Sequence, residues 1–197
     1  MEKPKGLVGW AAVGPVPAWL PLERRVLSAE VPLGDLPAWV GVDRALGGWW
    51  AWRQSGGPVL VADAGTALSF TRVGAEGCFA GGQLMAGAAL QLRALGAGTA
   101  GLPSLELPMA LPEQRWPSAT AQAMAAGVLR GLAAAVAQAA REAVRESPHC
   151  RLWITGGDGE LLLPLVRELL GERTQEVQLA PALALEALAA LRPGLDR

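Results

Sequence analysis

The hydrophobic positions of this chain alternate between short unbroken runs and stripes with three-to-four spacing. Val59-Leu60-Val61-Ala62-Asp63 is a short apolar run of the kind that forms a buried strand. Ala64-Gly65-Thr66 predicts a turn. Leu68, Phe70 and Val73, interleaved with Ser69, Thr71 and Arg72, predict a second strand. Ala75-Glu76-Gly77 predicts a hairpin turn and Cys78 to Ala80 a third strand. Gly81-Gly82 then predicts entry into a helix from about Leu84 to Leu95.

Before this hairpin, Val40 to Ser55 predicts a helix entered through a glycine turn and stopped by Ser55-Gly56-Gly57-Pro58. Prolines at 15, 17, 21, 32 and 37 punctuate the first 38 residues and hold Leu7 to Val13 and Arg25 to Val31 to short or edge strands. Thr99 to Leu111 reads as a loop with a short strand at Leu105. Thr120 caps or begins a long helix that stops before Pro148. Along it Met124, Val128, Leu132, Val136 and Val144 form the core stripe, and Gly127, Gly131, Ala135 and Ala139 form a small-residue row suited to packing or dimerisation. The tail predicts a strand at Arg151 to Thr155, a helix at Glu160 to Leu170 and a strand at Glu176 to Ala180. A last helix from Pro181 to Leu191 would carry proline in its first turn.

Composition narrows the class. At 51% hydrophobic and 18% charged residues the 197-residue chain is globular. A net charge of −1 provides neither a basic footprint for nucleic acid nor a polybasic membrane patch. The apolar stretch Ala119 to Ala140 is alanine-rich and broken by Gln122, Arg130 and Gln138, which predicts a soluble helix. Cys78, Cys150 and His149 show no zinc-ligand spacing. Two distant thiols and an N-terminus without a long apolar segment point to the cytoplasm.

Three motifs carry candidate chemistry. In Asp63-Ala64-Gly65-Thr66-Ala67 a carboxylate at a strand end can hold a cation. The glycine can present backbone amides, and the threonine hydroxyl can reach a phosphate; an ordinary β-turn is the alternative. In Gly41-Val42-Asp43-Arg44 an acid beside a guanidinium suggests a general base and an anion clamp; a helix start with an acidic first turn reads the same way. Thr155-Gly156-Gly157-Asp158-Gly159 offers close backbone approach to a nucleotide, or a plain tight connection. Trp39, Trp49, Trp50 and Trp52 either wall a pocket or pack the core.

Taken in order, "GVDRA", "VLVADAGTALSFTRV", "GGQLMAGAALQLRALGAGTAGLPSLELP", "ATAQAMAAG" and "WITGGDGELLL" resemble the type III pantothenate kinases, especially cyanobacterial ones, from about residue 38 onward. The resemblance implies an α/β fold, ribonuclease H-like, of the acetate and sugar kinase/Hsp70/actin superfamily. Residues 1–55 would be a remnant of the first lobe and 56–197 the second lobe. It implies ATP-dependent phosphorylation of pantothenate to 4'-phosphopantothenate, the first step toward coenzyme A, by a cytoplasmic homodimer.

Carried over by position, Asp43 is the base that takes the hydroxyl proton. Gly41, Val42, Asp43, Arg44 and Thr120 contact pantothenate. Gly65, Thr66, Gly156 and Gly157 contact ATP, which brings Mg2+. Asp63 holds a monovalent cation, K+ or NH4+. The chain departs from the family in having no D-x-G-N-[ST] phosphate loop before Gly41, and "GWAAVGPVPAWLP" resembles a later family segment. The expectation is therefore a chain that starts inside the first lobe. It is either a kinase whose start lies further upstream or a non-catalytic binding or regulatory protein on the same fold.

Overall fold

The computed structural model describes residues 9–106, 110–171 and 177–192. Helix α1, Val42–Ser55, starts at an extended Gly41 and stops at Gly56, whose φ of 64° is left-handed and whose N–H bonds the Trp52 carbonyl. A residue without Cβ takes that conformation at no steric cost. Five strands follow the order β3-β2-β1-β4-β5: β1 Val59–Ala64, β2 Ala67–Val73, β3 Phe79–Ala86, β4 Arg151–Thr155 and β5 Val177–Leu179. β1 pairs antiparallel with β2 and β2 with β3, while β1–β4 and β4–β5 are parallel. The helices after β3 are α2 Ala88–Gly98, α3 Thr120–Glu146, α4 Gly159–Leu170 and α5 Leu183–Leu191.

Helices cover both faces of the sheet, which explains the unbroken apolar run of β1. Leu60 and Ala62 face the core shared with Leu129, Leu132, Leu152 and Ile154. Val59 and Val61 face the core of α1 and α5, with Leu46, Trp49, Trp153 and Leu183. The pleat sends alternate side chains to opposite faces, so Asp63 follows Val61 onto the α1 side. Helix α3 is long and apolar enough to cross a membrane by length and composition alone, but 56% of that window is buried. It packs on β1, β2, α2 and α4 as the central helix of the larger core. Of its predicted stripe, Met124, Val128, Leu132 and Val136 are buried and Val144 half-buried. Cys78 and Cys150 are both free thiols.

Ile154 is fully buried between its partners Ala62 on β1 and Leu179 on β5. Ile154→Val is expected to cost about 1 kcal/mol. Urea unfolding should show a lower midpoint with an unchanged denaturant slope.

Several elements differ from the sequence expectations. Gly81-Gly82 does not open a helix: β3 continues through it to Ala86, and α2 begins at Ala88. The reason is tertiary. Gly82 lies opposite Thr71, where a Cβ would collide with the Arg44 Nη2 and the Phe70 carbonyl. The N-terminal runs form no regular strands among the described residues. They give the short 3-10 turns Leu22–Arg24 and Ser28–Glu30 and an isolated Trp10–Arg25 bridge, because the prolines interrupt any ladder. Residues 7 and 8 lie outside the described residues, as does Glu176 of the predicted last strand. Leu105 is in irregular backbone, and Pro181 precedes α5 instead of sitting in its first turn.

Candidate functional site

β1 and β4 run parallel, and their C-terminal ends carry the Gly65-Thr66 and Gly156-Gly157 turns side by side. The Asp158 N–H donates to the Ala64 carbonyl at 2.9 Å and ties the second turn to the end of β1. Ligands commonly bind at such strand ends in α/β sheets. Here a cleft of about 150 Å³ opens between α1, the sheet and the start of α5. It is lined by Asp43, Arg44 and Gly47 of α1, Val61 and Asp63 of β1, Ser69 and Thr71 of β2, Thr155 at the end of β4, Gly156 after it, and Pro181, Ala182, Ala184 and Leu185 around the start of α5.

Asp43 sits in the first turn of α1, and its Oδ1 accepts the Arg44 backbone N–H at 2.8 Å. An added Cβ at Gly41 would lie 2.6 Å from that Oδ1, so glycine there leaves the carboxylate its place. Arg44 is buried, and its Nε donates to Thr71 Oγ1 at 3.1 Å and its Nη2 to the Phe70 carbonyl at 2.9 Å. Burial lowers the guanidinium below its ordinary value, and the Asp43 charge opposes that shift.

Asp63 is half-buried, and its carboxyl is raised by burial first and by the Asp43 charge second. Gly156, at φ +86°, presents bare backbone to it, since an added Cβ would stand 2.5 Å from Asp63 Oδ1. The Ser69 and Thr155 hydroxyls line the same cleft. A carboxylate raised by burial and by a like charge, beside hydroxyl-bearing residues, suits a hard cation.

The folded pKa of Asp63 lies above its ordinary 3.8. Its contribution to stability is therefore fully present at pH below that value and is lost as pH rises through the folded pKa. Without an added cation, Asp63→Asn is expected to raise Tm at pH 7. The gain should shrink as the pH falls toward 4 in thermal melts across that window.

The structure brings Asp43, Arg44, Asp63 and Gly156 together. Gly41 caps α1 beside them. Val42 is packed into the α1 core and does not line the cleft. Gly65 and exposed Thr66 form the β1–β2 turn, where the Thr66 carbonyl accepts the Gly87 N–H at 2.9 Å. Exposed Gly157 follows Gly156, and Thr120 is exposed at the start of α3, outside the cleft lining. Sequence reasoning missed Ser69, Thr71 and the α5 wall, and had Thr155 only as the start of the glycine-turn motif. Ser69 and Thr71 did leave a signal: two polar residues at i and i+2 of a strand share one face. Among the described residues no three His, Cys, Asp or Glu side chains cluster as metal ligands. Of the tryptophans, Trp49 is buried in the core, and Trp39 stacks edge-on to Phe79 and lies 60% exposed.

Residues 27–142 match the type III pantothenate kinase family. A type III pantothenate kinase of Synechococcus elongatus is 38% identical over 166 residues, covering 84% of this chain and 64% of that protein. The chain thus spans less than two thirds of that relative's length. A type III pantothenate kinase of Synechococcus sp. strain JA-3-3Ab is 40% identical over 185 residues, covering 92% of this chain and 74% of the relative. The fold is similar to that of a Baf family transcriptional activator from Campylobacter jejuni, with a TM-score of 0.56 at 18% identity over 86% of this chain and 72% of that one. The ordered motifs, the cleft that three of them line and these similarities converge on one conclusion: the chain belongs to the type III pantothenate kinase family.

Proposed function

We propose that this chain serves the ATP-dependent phosphorylation of pantothenate to 4'-phosphopantothenate, the first step of coenzyme A biosynthesis. The observation that carries this reading is the shared cleft of Asp43, Arg44 and Asp63 at the ends of β1 and β4. Phosphoryl transfer needs positioning and charge neutralisation more than covalent help. The Asp43 carboxylate orients the acceptor hydroxyl and takes its proton. Arg44 holds the pantothenate carboxylate, and Thr120 adds a substrate contact. Gly65, Thr66, Gly156 and Gly157 receive ATP, which arrives as its magnesium complex.

Asp63, with the Ser69 and Thr155 hydroxyls, would hold a monovalent cation, K+ or NH4+, whose charge offsets that of the phosphates. We assign the fold to the ribonuclease H-like acetate and sugar kinase/Hsp70/actin superfamily, with residues 1–55 belonging to a first lobe and 56–197 to a second. The protein acts as a cytoplasmic homodimer in this reading, using the exposed Gly127 and Gly131 face of α3 beside an apolar groove of about 490 Å³. A coupled assay with pantothenate, ATP and potassium tests the reaction: product formation that stops without pantothenate supports it, and none under any cation condition sinks it. Potassium should also raise the Tm of the wild type and leave Asp63→Asn unmoved.

A further inference from the structure

The Arg44 guanidinium combines three features that rarely meet. It is 8% exposed, it lines the cleft, and its protein acceptors are neutral: Thr71 Oγ1 and the Phe70 carbonyl. Among the described residues no carboxylate forms an ion pair with it. The Asp43 carboxylate acts on it through space without bonding it, and the rest of its cover is uncharged. The ring of Trp39 lies 5.3 Å from the guanidinium carbon, and Gly82 leaves bare backbone where a Cβ would strike Nη2. A guanidinium has five N–H donors in a rigid fork. The two bonds above employ Nε and one N–H of Nη2, leaving Nη1 and the second Nη2 N–H for a ligand.

We propose that Thr71 is the positioning residue that locks Arg44 in the cleft by a neutral hydrogen bond and thereby sets the site's preference for an acceptor carrying a carboxylate. This rests on the pantothenate reading above. A buried cation held by a carboxylate would meet the substrate already neutralised. Bonded to a hydroxyl and a carbonyl and not to the nearby Asp43 carboxylate, it keeps its free N–H groups for the ligand in a weakly screened site. Thr71 is itself 2% exposed. Its hydroxyl fixes Nε, and with it the plane of the fork.

Calorimetry with pantothenate and with its uncharged primary amide, on the wild type, Thr71→Val and Thr71→Ser, tests this. The wild type and T71S should prefer the carboxylate by about thirty-fold or more, and T71V by no more than about three-fold, the roughly ten-fold loss expected for one hydrogen bond to a charged group. Full carboxylate preference in T71V overturns the proposal. A second measurement needs no ligand: the Arg44 Nε–H, followed by nitrogen-15 NMR, should exchange slowly in the wild type and T71S and fast in T71V. Equal protection in all three overturns the lock. A wild type that binds neither compound sinks the pantothenate reading, while the Nε–H exchange still decides the role of Thr71. Should valine unfold the strand, Thr71→Ala takes its place in both measurements.

Discussion

Asp43→Asn is expected to lower kcat by about 10²–10⁴-fold while leaving pantothenate binding within a few-fold of wild type. The substitution keeps size and removes the charge that would accept the hydroxyl proton. Its amide can still present an oxygen to the Arg44 N–H, which bonds Oδ1 at 2.8 Å, so the first turn of α1 should hold. A second consequence separates this from general damage. Burial raises the Asp63 carboxyl first and the Asp43 charge raises it further, so D43N should lower the Asp63 titration part of the way and leave the share due to burial. The coupled assay and carboxyl-carbon NMR check both halves. Undiminished kcat in D43N would remove Asp43 from the chemistry.

Gly156→Ala is expected to destabilise the fold by about 2–4 kcal/mol and lower Tm on the order of 10 °C. Two costs add. The residue sits at φ +86°, where an L side chain is strained, and its Cβ would collide with the Ala64 carbonyl while standing 2.5 Å from Asp63 Oδ1. Relief requires β1 and the β4–α4 turn to part, which displaces Asp63 from the cleft. Gly157→Ala is the control: nothing lies within 4 Å of its Cβ and its φ is ordinary, so its Tm should move by less than about 2 °C. Calorimetric melts of the two variants side by side decide the matter, and equal losses would show that the turn tolerates no side chain at either position for reasons unrelated to Asp63.

The candidate site was legible to the extent that its residues lie within local motifs. Asp43 and Arg44 are adjacent, and Asp63 sits one glycine turn from Thr66, so both motifs could be read as chemistry or as ordinary caps and turns. What removed the ambiguity is the pairing of β1 with β4, which sets Gly156 against Asp63 across some ninety residues of chain. The α5 wall of the cleft carries no polar signature, since Pro181, Ala182, Ala184 and Leu185 look like any helix start.

The amino-acid order by itself determined the strand–turn–strand unit at 59–73, the long helix from Thr120 and the strand–helix alternation of the tail, because period-2 and period-3.6 patterns and glycine stops are local properties. Only the tertiary structure decided that Gly81-Gly82 is strand and not helix entry, for the space that glycine leaves is needed by an arginine 38 positions earlier. It also decided that Thr71 and Ser69 belong to the site: a polar residue in a strand reveals its partner only once the neighbouring helix is docked. The environment of Arg44, buried and held by neutral groups, is likewise a product of packing, since no pattern along the chain records which acceptors a guanidinium will meet.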